Sequence, residues 1–570
     1  MTNVLNSNVT STSSFASAPI QTQDFGTPMY LAAPGSLGVG FTEVIRFYAD
    51  PQEVAVDLAS GDITATVAAA LNAGLSQTSP RVAQVACGQI PGAVSKVTEV
   101  TVAGVVTDAD AFTVTIDPGG EDFAMTYAAS VPTDDAAAVI AGLIASAATT
   151  VPARYLVEVG SSTDKLTITD LLKGADVSVT AGVVGVATIA AATTTEPSGA
   201  AEGQDVEVLT AGAEDDIWTL ALDGISVAYT EGAAATQGDI ADGLVALVDA
   251  LDNYSAFRSD ITAPGGAKFI ITPNYGAVSI NALTLASDGA GTNTITEAQA
   301  ATPIGPLMDV LFLADSTWYA FDTEVKTQGI IMDLAAWSEV NQRLFVTFTT
   351  ETGALTADAA STGALLAPLN YVYTSINYHK TLTEELTFGL QAKNLGTDPD
   401  TATTTWADKT IVGMTADSTI TTTQRTALES LGVGFYAGFY GVAVYWEGKN
   451  VAGWFLDQVI SKDWMNARIE ESIAKLLIDE SNRGRKIPMS DAGIQQLAGL
   501  VRSFLDGKAV DTGHTIVVLD DDGNQVAPIV TAPRFRDVSQ SDRDNRLVRL
   551  SYEAYFANAV HKVYITGYLT

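Results

Sequence analysis

Phe112-Thr-Val-Thr-Ile-Asp117 followed by Phe123-Ala-Met-Thr-Tyr127, and Trp218-Thr-Leu-Ala-Leu-Asp223 followed by Val227-Ala-Tyr229, are one strand pair written twice in the same chain. Behind each pair the match continues. Ile140-Ala-Gly-Leu143 corresponds to Ile240-Ala-Asp-Gly-Leu244, and Lys165-Leu-Thr-Ile-Thr169 to Lys268-Phe-Ile-Ile-Thr272. The offset is about 100 residues, and each copy reads strand, strand, helix, strand, strand. Self-similarity at a fixed period marks a repeated supersecondary unit. Two tandem β-rich α+β modules are therefore expected over 97–200 and 201–303. They hold 28 acidic and 5 basic side chains, a net of −23, whereas the other 363 residues hold 38 and 24, a net of −14. So concentrated a charge belongs on a solvent-facing decoration, where repulsion discourages non-specific association.

Outward from the repeats the pattern changes. Residues 1–25 are rich in Ser, Thr and Asn and predict an extended arm without a core of its own. Over 26–96, Phe41-Thr-Glu-Val-Ile-Arg-Phe47 predicts a strand, and Val54-Ala-Val-Asp-Leu-Ala-Ser60 a second strand or the start of a turn. Residues 64–75 predict a helix with Val67, Leu71 and Leu75 on one face, and Arg81 to Cys87 a short apolar strand. Over 304–460, Trp318-Tyr-Ala-Phe-Asp322 and Arg343-Leu-Phe-Val-Thr-Phe-Thr349 read as strands around a helical run at 323–341, with a loop at 351–362. Six of the seven tryptophans fall between Trp318 and Trp464, which places the main core there. In the last unit, 461–570, Asp463 is expected to cap a helix over 464–481 whose apolar stripe is Met465, Ile469, Ile473 and Leu476. Pro488 and Ser490 open a second helix, striped by Ile494, Leu497, Val501 and Phe504 and ended by Gly507. Thr515-Ile-Val-Val-Leu519, Asp522-Gly523 and Val526-Ala-Pro-Ile-Val530 give a hairpin signal, and 547–555 and 560–569 two closing strands. The fold class is thus α+β and multidomain.

At 570 residues and 47% apolar, the chain is long enough for several cores. A net charge of −37 without Lys/Arg clusters repels DNA and anionic lipid and argues against nucleic-acid binding. Cys87 is the single cysteine, so no internal disulfide forms, and its apolar neighbours make it a buried thiol and not a nucleophile. The N-terminal residues have neither a basic nor an apolar signal region, and no run of about 18 apolar residues predicts membrane anchoring. His379, His514 and His561 are far apart and none has metal-ligand spacing, so no metal or cofactor is expected. Gly432-Val-Gly434 with Gly438 has the wrong gap for a dinucleotide loop and reads as strand and turn glycines. Asp520-Asp-Asp-Gly523 lacks the spacing of a calcium loop and reads as a turn. Acidic pairs are abundant because Asp is abundant, so no carboxylate dyad stands out, and nothing here argues for an enzyme.

The two ends of the chain resemble the contractile tail sheath proteins of myovirus-type bacteriophages. The likeness lies in Glu43-Val-Ile-Arg-Phe-Tyr-Ala-Asp-Pro-Gln-Glu-Val-Ala-Val-Asp-Leu58, in Arg81-Val-Ala-Gln-Val-Ala-Cys-Gly88, in Asp463-Trp-Met-Asn-Ala-Arg-Ile-Glu-Glu471, in Lys486-Ile-Pro-Met-Ser-Asp-Ala-Gly-Ile494, and in Ala559-Val-His-Lys-Val-Tyr-Ile-Thr-Gly567. It covers about 26–96 and 304–570; the tandem modules depart from it. The resemblance implies a sheath-type α/β core made by the N- and C-terminal parts with the modules inserted. It further implies a virion-tail structural subunit, assembled in the host cytoplasm, that forms helically stacked hexameric rings around a tail tube protein and meets baseplate and tail terminator proteins. In such a subunit Arg468, Glu471, Lys475, Arg483 and Arg485 are the tube-facing candidates, and Val563, Ile565 and Leu569 the strand-donating ones. A tailocin sheath, or a secreted β-repeat surface protein, are the alternatives.

Overall fold

The computed structural model describes residues 4–8, 23–89, 95–195, 203–510 and 516–556, less a number of loop positions within those ranges. After β1 (Val4–Asn8), the first part of the main core runs β2 (Pro28–Ala32), β3 (Ile45–Tyr48), α1 (Pro51–Ser60), α2 (Ala65–Leu75) and β4 (Val85–Gln89). The stretch Val54 to Ser60, expected as strand or turn, is instead helical. Asp50 accepts a hydrogen bond from Gln52 N, Pro51 occupies the first turn, and Gly61 closes the helix at φ 80°, so two strong terminus signals override the β-leaning composition. Thr64 caps α2 through Val67 N, and Val67, Leu71 and Leu75 are buried as their spacing predicts. The strands expected at 41–47 and 81–87 begin later, at Ile45 and Val85.

The two repeats follow. The first comprises β5 (Val97–Ala103), β6 (Ala111–Asp117), β7 (Phe123–Ala128), α3 (Ala136–Thr150), β8 (Tyr155–Val159), β9 (Lys165–Asp170), β10 (Ser178–Val184) and β11 (Thr188–Thr195). The second comprises β12 (Gly203–Thr210), β13 (Ile217–Leu222), β14 (Ile225–Thr230), α4 (Gln237–Asp249), β15 (Tyr254–Arg258), β16 (Ala267–Pro273), β17 (Leu283–Ser287) and β18 (Thr292–Gln299). Sheet orders β11-β5-β9-β8 and β10-β6-β7 in one copy become β18-β12-β16-β15 and β17-β13-β14 in the other. Each copy thus has three strands more than its sequence pattern gave. Three of the extra strands, at sheet edges and rich in Thr, Ala and Val, bury no residue fully, so they leave only a weak apolar signal. Each copy encloses a separate apolar cluster, around Val114, Ile140 and Leu166 in the first and Trp218, Ile240 and Phe269 in the second.

One packing device is repeated. An ideal Cβ on Gly142 would stand 1.9 Å from the Tyr127 ring, and one on Gly243 would stand 2.2 Å from the Tyr229 ring. In each copy the helix lies flat on a strand tyrosine through a residue without a side chain. Between the modules, Arg154 makes a bidentate pair with the fully buried Asp170 at 2.9 and 2.8 Å. Its backbone N–H donates to Arg258 O across the junction, beside a small cluster of Leu172, Phe257 and Ile270.

The chain then returns to the main core with α5 (Ile304–Ala314), β19 (Ala320–Thr323), α6 (Gln328–Asn341), β20 (Leu344–Thr349), α7 (Thr362–Leu366), β21 (Thr374–Tyr378), α8 (Leu386–Leu395), α9 (Thr422–Ser430), β22 (Gly434–Phe439) and β23 (Val442–Trp446). The loop expected at 351–362 contains a 3-10 turn, Thr352–Thr356. The main sheet has the order β23-β22-β21-β20-β19-β2-β4-β3. It is parallel from β22 to β4 and antiparallel at both edges. Every residue of β2, β19, β20 and β21 is buried, as a parallel sheet covered on both faces requires. One face carries Leu71, Phe388 and Trp464, and the other Met308, Leu334, Trp337 and Leu428.

Last come α10 (Leu456–Asn482), α11 (Asp491–Val510), β24 (Ile516–Val517), β25 (Ile529–Thr531), α12 (Gln540–Asp544) and β26 (Ser551–Phe556). The helix expected from Trp464 starts at Leu456, and α11 runs through Gly507. The expected hairpin is not one: β24 and β25 pair in tandem along one edge of β26.

Gly142→Ala and Gly243→Ala should each cost about 1–3 kcal/mol by overpacking. Read as urea-midpoint shifts, the two should add within about 0.5 kcal/mol, because the sites lie in separate cores.

Candidate assembly surface

Helix α10 joins the main core to the C-terminal unit, and its side chains divide the work. Trp464, Met465 and Ile469 are buried. Asp463, expected as an N-cap, lies inside the helix with its carboxylate accepting from Tyr319 OH at 2.8 Å and Tyr373 OH at 2.9 Å. Its short side chain beside an apolar stripe mimics a cap in sequence, while the chain in fact enters the helix two turns earlier. Burial raises the Asp463 pKa, and the neighbouring Lys462 works against that rise.

On the adjoining face Arg468 and Glu471 hold each other at 2.5 Å and clasp the N-terminal segment by its backbone. Arg468 Nη2 donates to Gln23 O at 2.8 Å, and Gln23 N donates to Glu471 Oε1 at 2.9 Å. Phe25 is buried against the Tyr319 ring, 4.7 Å between centroids, and the Arg468 guanidinium stands 5.9 Å from both the Phe25 and Trp464 rings. Two of the five tube-facing candidates are therefore taken up by the N-terminal segment. Lys475 is exposed, and Arg483 and Arg485, about 60% exposed, both pair with Glu480. The clasp joins residues 445 and 448 positions apart, which no local pattern reveals.

The strand upstream of the clasp completes the C-terminal sheet. β1 lies antiparallel on β26, from Val4 opposite Tyr555 to Asn8 opposite Ser551, along the edge that β24 and β25 leave open. Tyr552 of β26 donates to Asn466 Oδ1 of α10 at 2.7 Å. Both ends of the stretch 9–22 are thus anchored within two turns of α10. Side chains, strand spacing and helix rise together put these anchors no more than about 40 Å apart, whereas fourteen residues can span about 50 Å. The strand-donating candidates Val563, Ile565 and Leu569 lie outside the described residues, as do His514 and His561.

A second polar cluster sits at the carboxyl ends of β2 and β19, where the strand order reverses. Lys326 Nζ is 2.7 Å from Asp322 Oδ1, 3.5 Å from Glu385 Oε2 and 4.4 Å from the Phe348 ring centroid. Thr387 donates to Asp322, and Tyr30 OH to Glu385 at 2.7 Å. Doubly wound sheets bind ligands at such a reversal; here the core's own side chains occupy it. Burial pushes Glu385 up to about 7, against the pull of Lys326. His379 is buried 3.1 Å from Glu384, with burial lowering its pKa, and burial raises that of the Cys87 thiol. Among the described residues no group of three His, Cys, Asp or Glu is placed to hold a metal ion, and no helix is long and apolar enough to cross a membrane.

The sequence matches no family model and no curated protein. Two solved tail sheath structures are similar to this chain. A sheath tail protein from Listeria innocua is 11% identical, with 94% of this chain and 97% of that one covered at a TM-score of 0.37. A sheath tail protein from Desulfitobacterium hafniense is 11% identical, with 97% of each chain covered at a TM-score of 0.36. The flagellar cap protein FliD of Escherichia coli, domains D1 to D3, is 10% identical over 60% of this chain and 79% of its own, at a TM-score of 0.16.

Raised carboxyl pKa values fix the sign of one pH dependence. Glu385 stands at about 7, Asp457 at about 6, and Asp463 is also raised, in each case by burial. The folded state holds these protons more tightly than the unfolded chain does. Their contribution is therefore full below the ordinary carboxylate range and is lost as pH rises through about 6 and 7. Tm at constant ionic strength should fall between pH 5 and pH 8, and Glu385→Gln should flatten that slope.

Proposed function

We propose that this chain is the repeating subunit of a contractile tail sheath, polymerising around a tail tube as helically stacked hexameric rings. The observation that carries this reading is the seating of β1 on β26 at the end of a segment longer than its own chain requires. Strand addition takes affinity from backbone hydrogen bonds and register from alternate side chains. The slot on β26 is equally complementary to the β1 of a neighbouring copy. The clasp at Gln23 fixes where the arm leaves the core, and the slack beyond it lets the same strand reach across an intersubunit gap.

In this reading the subunit moves as a rigid block. The main sheet, the clasp and the C-terminal unit share one continuous apolar cluster, from Leu71 through Trp464 to Tyr552. Contraction is then a change between two packings of such blocks, with exchanged strands keeping neighbours connected. The exposed corner at Arg483 and Arg485 faces the tube through weak, releasable ion pairs, each contributing about 0–1 kcal/mol. A tailocin sheath has the same chemistry, and neighbouring capsid genes would distinguish the two.

Negative-stain electron microscopy tests the reading. In an antiparallel ladder, hydrogen-bonded and non-bonded residues alternate, so proline at both Leu5 and Asn6 must remove a donor of β1. The wild-type protein, with tube protein present, should give long hollow cylinders, and the Leu5→Pro/Asn6→Pro variant short rings or single particles. Cylinders of equal length from both would remove strand exchange. Reversing Arg483 and Arg485 to Glu should lower the fraction of tubes that acquire a sheath and leave the monomer's Tm unchanged.

A further inference from the structure

The segment 534–549, Arg-Phe-Arg-Asp-Val-Ser-Gln-Ser-Asp-Arg-Asp-Asn-Arg-Leu-Val-Arg, holds five of the chain's fifteen arginines in sixteen residues, and no lysine. No other stretch of that length in this strongly acidic chain holds as many basic side chains, so the expectation of a chain without Lys/Arg clusters fails here. The segment is also firmly built. Phe535 N donates to Asp491 Oδ1 at 2.6 Å, which ties the segment to the start of α11. Val538 is buried, and Arg543 Nε donates to its carbonyl at 2.9 Å. Ser539 caps α12 through Asp542 N, and the helix ends with Arg546 N on Arg543 O and Leu547 N on Asp542 O.

That ending puts Arg546 at φ 56°, in the left-handed position that glycine fills at least cost. An arginine held there projects its guanidinium from a fixed point. Arg534, Arg536, Arg546 and Arg549 are exposed, Arg536 by 73% and Arg549 by 64% of the side chain. Phe535 is 36% exposed, with the Arg543 guanidinium 5.0 Å from its ring. The nearby aspartates pair only loosely, Asp537 at 3.5 Å from Arg536 and Asp542 at 3.3 Å from Arg549. Arginine and phenylalanine on a rigid exposed turn are the composition of a protein-recognition surface. Arginine without lysine points to planar, two-pronged recognition of carboxylates.

We infer that the 534–549 turn is a docking surface for the acidic tandem modules of a second copy of this chain. Charge complementarity carries the choice of partner: the modules have a net charge of −23, while the turn has five arginines against three aspartates. A contact between two different faces of one chain is heterologous, and such contacts propagate into rings or open helical arrays. Interleaved aspartates and a net charge of −37 disfavour nucleic acid on the same surface. The inference rests on the chain being a self-assembling subunit, but it is independent of strand exchange.

Sedimentation velocity of the full-length protein at about 50 and 300 mM salt tests it, beside the Arg536→Glu/Arg546→Glu/Arg549→Glu variant and the corresponding triple lysine variant. Circular dichroism should show all three equally folded. Wild-type association should weaken with salt. The glutamate variant should associate roughly 10–100-fold more weakly and lose most of the salt dependence, as expected when three few-fold pairs multiply. The lysine variant should fall between them. Poly-glutamate should compete with wild-type association, while a DNA oligonucleotide of equal charge should not. A glutamate variant that associates like wild type would overturn the proposal and leave the sheath reading standing, provided its cylinders still depend on β1. Binding of the oligonucleotide in preference to poly-glutamate, or a wild-type monomer under every condition, would overturn it as well.

Discussion

The parallel pairing of β19 with β2, Ala320 opposite Pro28 through Thr323 opposite Leu31, is the constraint on which the rest depends. It joins two stretches nearly 300 residues apart in sequence. Only after it forms do the strands on either side share a sheet with both faces covered. Closing so long a loop costs entropy that grows only slowly with length. The four fully buried residues of β19 and the five of β2 offset it through ladder bonds and apolar burial. Lys326, Asp322, Glu385 and Tyr30 then hold one another at the carboxyl end of this seam. A buried cluster of this kind is costly to break by removing one partner, and it leaves little latitude in how the two halves join.

What could be read from the sequence was what repeats or what is local. The matched strands, the Tyr127 and Tyr229 positions and the glycines opposite them carry their own signal, because both copies bury the same face. Helix α2 was legible from Thr64 and the Val67, Leu71, Leu75 spacing. Helix α1 was misread because Val54, Val56 and Leu58 look β-like, and the Asp50-Pro51 start outweighs them. Asp463 was misread for the opposite reason: a local cap signal lost to two distant tyrosines. The clasp of Gln23 by Arg468 and Glu471 had no local signal, since backbone groups are recognised and any residue but proline at 23 would offer them. The arginine turn was visible in composition but easily missed in a chain with so large an opposite charge.

In the C-terminal unit a small sheet is completed by a strand from the far end of the chain. β26 is covered on one edge by β24 and β25, which belong to the same unit, and on the other by β1, which arrives from the far end of the chain. Helix α11 packs in one apolar cluster with it through Ala498, Val501 and Leu505. The proposed exchange of β1 between copies would replace five residues of ladder with an identical five and leave the local energy nearly unchanged. What differs is connectivity.

The place of the tandem modules carries a consequence of another kind. They leave the main core after β4 and rejoin it at α5, and these two elements touch: a Cβ on Gly88 would lie 3.4 Å from Leu311 Cδ2. An excursion that begins and ends at one spot can be lengthened without moving anything else. Each copy brings its own core, so adding or losing one changes neither the main sheet nor the clasp. Such an architecture separates two rates of evolutionary change: a slow one for the core that must still close on itself, and a fast one for whatever it carries outside. The duplication still visible in Phe112–Tyr127 and Trp218–Tyr229 is a record of the fast one.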